Sequence, residues 1–369
     1  MIPVEYYTTV YYVVLCFILL VFFLPRLLSK SIEFENNFTQ RAFVFLILIT
    51  TILFIGLRDP LGAFQYFGDT GAYTHTFEQI KYGYKTEFTK DIGFYLYMKL
   101  IASFASVQIF YLISAVIYVY LPYLTFKKWF KDKAIYVLIA FVVSMSFWAF
   151  GINGVRNGLA SSLFLFSLRY FDKKWLMFGL MILSMTFHKA MLLPLFAFLL
   201  STFVIKSEKK TLIFWILTIP VSLLFRNVLE NFTELIFSSD SIVQDERASV
   251  YFSEEAQKYQ VSGEFRIDFI IYSALAIFIG YWSIVKKGFQ NKLYSQLFRT
   301  YVIANGIWIL LIYAPFTNRI AYLSWFLMPI ILTVPFISDL RFRIANNKQK
   351  LIYVIYGSLA FTLFMQFVI

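Results

Sequence analysis

Long apolar stretches alternate with short polar ones along almost the whole chain. Apolar runs fall at about 8–24, 41–57, 106–126, 134–149, 152–170, 175–188, 189–205, 211–229, 268–285, 295–313, 319–337 and 351–368. A helix needs roughly 20 mostly apolar residues to cross a bilayer. A backbone in lipid must also satisfy its own hydrogen bonds, which a helix does. The pattern predicts an all-α polytopic integral membrane protein of about twelve transmembrane helices, one membrane domain over residues 1–369. The stretch 175–205 reads as two short spans if the chain turns at His188-Lys189, and as one long helix if it does not. The segment Ile92–Phe104 is apolar but too short to cross, and is expected to be re-entrant or interfacial. Two connections are long, at about 58–91 and 230–267.

Composition then excludes whole classes. Of the 369 residues, 60% are hydrophobic and 15% charged, and the mean hydropathy is +0.70. A soluble domain has about 45–50% apolar and about 25% charged residues, so a soluble globular enzyme is excluded. The single Cys16 rules out an intramolecular disulfide and a cysteine-built metal site. No basic segment precedes the first apolar run, which argues against a cleaved signal peptide. No phosphate-cradling Gly-Lys-Ser/Thr loop is present, so an ATP-driven pump or a cytosolic nucleotide-sugar domain is not expected. Neither metal nor organic cofactor is expected.

A net charge of +12 raises the question of nucleic acid, which the distribution of charge answers. Alternate connections hold 21 of the 33 basic residues and only six of the 21 acidic ones, while the remaining segments are slightly acidic. These basic connections lie around Arg26, Lys128, Lys173, Lys209, Lys287 and Arg343. That is a positive-inside pattern, so no nucleic-acid partner is expected. It predicts both termini, and the loops 58–91 and 230–267, on the outer side of the membrane. Basic flanks at 169–174 and 206–210 favour a turn at His188.

Unusual polar residues gather at the predicted outer helix ends. Arg58-Asp59-Pro60 follows the second run, then Gly68-Asp69-Thr70 and Tyr73. Gly151-Ile152-Asn153-Gly154-Val155-Arg156-Asn157-Gly158 opens the fifth, Phe187-His188-Lys189 forms a tip, and Arg266 and Arg319 open two later runs. Lysine suffices for topology, whereas arginine brings a planar fork that pairs with phosphate or carboxylate. Ionisable groups in a span are costly and usually functional. Arg156 stands out because no other charge follows before Arg169. Arg58, Arg156, Arg266 and Arg319 are expected to converge on one outer cavity, to which loops 58–91 and 230–267 contribute. Structural readings stand beside these: Arg156 tied to a carbonyl or carboxylate, Arg58 to Asp59, Arg319 snorkelling, and His188 buried for packing.

At these positions the sequence resembles the EpsG family of Wzy-like exopolysaccharide polymerases. The resemblance rests on the Arg58–Tyr73 region, with its Gly-Asp-Thr and following tyrosine. It rests further on Gly151–Ala160, where Asn157 stands for the family's glutamine after the arginine, and on Thr186-Phe187-His188-Lys189-Ala190, where Lys189 replaces a serine. It implies an inverting membrane glycosyltransferase of the C type, acting on the outer face of the bacterial inner membrane. The donor would be a growing glycan on a polyprenyl diphosphate, and the acceptor a lipid-linked repeat unit. Membrane lipid and other polysaccharide assembly proteins are the remaining partners it implies.

The residue chemistry fits that expectation. Arg58, Arg156, Asn157, Arg266, Arg319 and Tyr73 would bind diphosphate and glycan. Arginines would stabilise an anionic leaving group, and His188 or Asp69 would take the acceptor proton. Two other classes use similar parts. A membrane O-acyltransferase or ligase would also employ a histidine, but with a donor reached from the cytoplasm. A transporter would show internal repeats and charges near mid-membrane, and neither is visible.

Overall fold

A computed structural model describes residues 2–28, 37–84, 91–237, 265–314, 317–338 and 347–368. Among the described residues the secondary structure is helical, with no strand. The chain divides into two compact units, Met1–His188 with Thr333–Ile369, and Lys189–Leu332.

The first unit contains α1 (Val4–Leu28), α2 (Asn37–Gly56), the single turn α3 (Phe64–Phe67), α4 (Thr70–Lys81), α5 (Ile92–Ala102), α6 (Val107–Phe130), α7 (Ala134–Val142), α8 (Met145–Ile152), α9 (Val155–Ser167) and α10 (Lys174–Phe187). The second contains α11 (Leu192–Phe203), α12 (Glu208–Leu224), α13 (Arg226–Phe237), α14 (Ile267–Tyr281), α15 (Lys292–Leu310) and α16 (Thr317–Trp325). The chain continues through α17 (Met328–Ser338) into α18 (Asn347–Phe367), which returns to the first unit.

Among the described residues six helical stretches are long and apolar enough to cross a membrane: Val4–Leu28, Phe38–Gly56, Val107–Val142, Ile267–Lys286, Thr317–Ser338 and Gln349–Phe367. The protein is therefore an integral membrane protein. Twelve spans were expected, and the remaining apolar runs are helical but fall short for identifiable reasons. Ser144 and Asn153-Gly154 break 134–170 into α7, α8 and α9. Lys292, Gln296, Arg299 and Asn305 lower the apolarity of α15. The helix α10 ends at Phe187, and His188 takes an extended backbone, φ −158° and ψ 118°. The short apolar segment after residue 91 is helical, as α5. Of the long connection 230–267, residues 238–264 lie outside the described residues.

Within the first unit α9 packs along both α6 and α10, and α2 lies along α6. Aromatic rings fill the joints: Tyr11 stacks on Trp148 at 4.1 Å and Tyr118 on Phe147 at 5.2 Å. Every residue of α7 is buried. The returning α18 is pinned by Thr362 Oγ1, which donates to Val143 O at 2.8 Å.

In the second unit α15 is the central element, packed by α11, α12 and α16. A polar network crosses its interior. Trp215 Nε1 donates to Asn305 Oδ1 at 2.8 Å. Asn305 Nδ2 donates to the hydroxyls of Ser273 (2.9 Å) and Ser324 (3.0 Å). Trp325 Nε1 donates to Ser273 Oγ at 2.8 Å. Buried polar groups are costly unless bonded in this way.

Candidate active site

The motifs at 58–73 and 151–158 interlock. Gly68 has φ +53°, a left-handed conformation that favours glycine. A Cβ on it would stand 2.3 Å from the Asn153 side chain. That close approach lets the Asp69 backbone N–H donate to Asn153 Oδ1 at 2.9 Å. Next door, Thr70 Oγ1 donates to Ile152 O at 3.1 Å. The break between α8 and α9 thus presents a side-chain oxygen and a carbonyl to the loop.

Arg58 lies beneath this joint and is 1% exposed. Its Nη1 donates to Ile55 O at 2.5 Å, its Nε to Thr70 Oγ1 at 3.0 Å, and its guanidinium lies 4.0 Å from the Tyr111 ring centroid. Burial draws its pKa down to about 10, against the opposing influence of the Tyr111, Tyr7 and Tyr73 phenols. It is still cationic at neutral pH. Asp69 is also buried, at 6% exposure.

A second cluster is built around a residue that the sequence reading did not single out, Asp91. Arg156 Nη1 donates to Asp91 Oδ2 at 2.8 Å. His188 Nδ1 stands 3.2 Å from the same oxygen. The side chains of Arg156 and His188 are 19% and 22% exposed, that of Asp91 4%. Tyr73 connects the cluster to the joint above: its hydroxyl is 3.4 Å from Arg156 Nε, a long contact, and its ring centroid is 5.9 Å from the guanidinium.

Three elements bring these groups together. The first turn of α9 carries Arg156, just after the Gly154 break. The end of α10 carries His188. The short α5 carries Asp91 at its N-cap, and rests on α10 because Gly93 has no side chain. A Cβ there would stand 2.2 Å from Thr186 Oγ1. Phe94 packs edge-to-face on Tyr73 at 5.7 Å, fixing α5 against α4. The faint signal for Asp91 was positional: an acid directly before an apolar segment too short to cross.

Of the other expected residues, Asn157 is buried, and its Oδ1 has no hydrogen-bond partner among the described residues. Arg266 and Arg319 belong to the second unit. Arg266 forms a two-pronged ion pair with Asp268, at 3.0 and 2.6 Å, and lies 3.8 Å from the Phe269 ring centroid. Both arginines are within electrostatic reach of Tyr322. Among the described residues no three His, Cys, Asp or Glu side chains gather as a metal site would require.

The spans and the paired ionic groups define an integral membrane protein with a charged, partly open polar cluster at the ends of short helices. More narrowly, the chain belongs to the EpsG family, whose sequence model matches residues 41–369. Membership associates it with exopolysaccharide synthesis and, in broad terms, with polymerase-like glycosyl transfer. No curated protein and no solved structure matches the chain.

Proposed function

We propose that the protein polymerises glycan repeat units on the outer face of the bacterial cytoplasmic membrane, with both termini outside. In this reading a growing glycan leaves its polyprenyl diphosphate and is joined to a lipid-linked repeat unit. The acceptor hydroxyl oxygen attacks the anomeric carbon from the side opposite the diphosphate. The bond from that carbon to the diphosphate oxygen breaks, and configuration inverts. The proton passes to His188, and polyprenyl diphosphate departs as an anion.

One observation carries the reading: a histidine and an arginine meet on one carboxylate oxygen. Arg156 Nη1 and His188 Nδ1 stand 2.8 and 3.2 Å from Asp91 Oδ2, so they are at most 6.0 Å apart. A base is thereby held beside a cation that can take up a developing phosphate charge. Both side chains keep some exposure, as groups that meet substrate must.

Tyr73 orients the Arg156 fork in this scheme, and Asn157 offers its amide to the glycan. Arg58, wholly enclosed, acts by holding the Gly68–Thr70 loop. Asp69 is the alternative base. Arg266 and Arg319 are the candidate anion ligands of the second unit.

The test is polymerisation in vitro from a lipid-linked repeat unit, read as a ladder of longer products. His188→Ala is expected to lower the rate by about 10²–10⁴. Arg156→Lys should lose most activity, because an ammonium lacks the bidentate fork. A His188→Ala protein that builds the ladder at a near-normal rate moves the base to Asp69, which Asp69→Asn then checks.

A further inference from the structure

Asp91 occupies the N-cap position of α5. An aspartate there ordinarily accepts a hydrogen bond from an N–H of its own helix. Asp91 makes no such bond. Its Oδ2 is directed instead to partners 65 and 97 residues away in sequence, Arg156 and His188. Leaving a helix cap unmade and burying a carboxylate both cost stability. Local structure therefore does not explain this side chain, and the two partners do.

The chemistry of the contact follows from its geometry. A carboxylate facing a guanidinium at 2.8 Å is an acceptor only. The imidazole nitrogen that shares the oxygen must then be the donor, so Nδ1 carries the proton. In a neutral ring this leaves Nε2 with its lone pair.

We propose that Asp91 is the positioning residue of the site: it holds His188 in the Nδ1–H tautomer and makes Nε2 the atom that accepts the proton of the incoming hydroxyl. The assignment rests on the reading of His188 as the base. Asp91 touches no reacting atom, since its Oδ2 already serves two donors and its side chain is 4% exposed.

Two independent readouts test it. The chain has only two histidines, so [15N]histidine labelling of the full-length protein in nanodiscs gives two ring spectra, and His75→Ala assigns them. His188 is expected to show a protonated Nδ1 and a bare Nε2. A His188 ring protonated on Nε2 would overturn the proposal, and this spectrum requires no variant at Asp91.

The second readout is kinetic. Asp91→Asn should lower kcat by about 10²–10⁴, as loss of a correctly held base does, with a much smaller change in KM for the lipid-linked donor. Asp91→Glu should recover part of kcat. An Asp91→Asn protein with wild-type kcat overturns the positioning role. If His188→Ala polymerises normally, the assignment of the base fails instead, and Asp91 loses this role with it.

Discussion

The polar clusters of the two units are built on opposite plans. In the second unit Asn305, Ser273, Ser324 and Trp325 are each fully buried and neutral, and their bonds close on one another, on Trp215 and on the helix carbonyls of Phe269 and Ala321. In the first unit the members are ionic, Arg156 and His188 remain about a fifth exposed, and both converge on one oxygen. A closed neutral network is fully satisfied and holds helices in one arrangement. An ionic cluster has a large desolvation cost, and an apolar replacement would often be at least as stable. Stability alone accounts for the first design and gives no reason for the second. The excess points to chemistry.

Substitutions can break this contrast, beginning with the largest effect. Arg156→Leu should abolish polymerisation and destabilise the protein by about 3 kcal/mol, since it takes the guanidinium partner from a buried carboxylate. The double variant Asp91→Leu/Arg156→Leu should regain most of that stability and none of the activity. Thermal unfolding in detergent, measured beside the product ladder, checks both. If the double variant melts as low as the single one, the cluster is a structural tie.

Asn305→Leu should do the reverse. It leaves the Trp215 N–H without its acceptor, at a cost of about 1–3 kcal/mol, while activity per folded molecule stays near wild type. A loss of turnover in correctly folded Asn305→Leu protein would erase the distinction between the two clusters.

A smaller effect is expected at Gly93. Its Ala variant places a methyl against Thr186 Oγ1 and pushes α5 from α10, at about 1–3 kcal/mol for overpacking. The shift draws Asp91 away from His188, so turnover should fall roughly tenfold, about 1.4 kcal/mol in barrier. Thr186→Ala in the same chain should restore part of it. Unchanged turnover in Gly93→Ala would mean that the spacing of α5 and α10 does not govern the site.

The legible parts of the site were those that defied their surroundings. Arg156 and His188 are polar residues within apolar runs, and a charge there needs a reason. The Gly68-Asp69-Thr70 and Gly151–Asn153 motifs were visible separately. Their mutual docking was not, because it depends on one glycine at φ +53° and an amide 85 positions further on. Asp91 did not stand out, because an acid directly ahead of a short helix is commonplace as a cap. Arg58 read as a substrate ligand because its type and place suit one. Its burial under Thr70 and Tyr111 comes from packing that local sequence does not record.

The sequence by itself determined that this chain is helical and lives in a membrane. Apolar runs of span length leave the backbone no other way to satisfy its hydrogen bonds, and the helices formed where those runs lie. It also determined which few residues are too polar for their setting. Tertiary structure decided where the helices break, which arginine is enclosed and which is reachable, and which carboxylate meets the histidine. Those outcomes depend on contacts between residues tens of positions apart. A periodic pattern encodes the burial of a face, whereas the partner of a single charge is chosen by the three-dimensional packing that makes its desolvation tolerable.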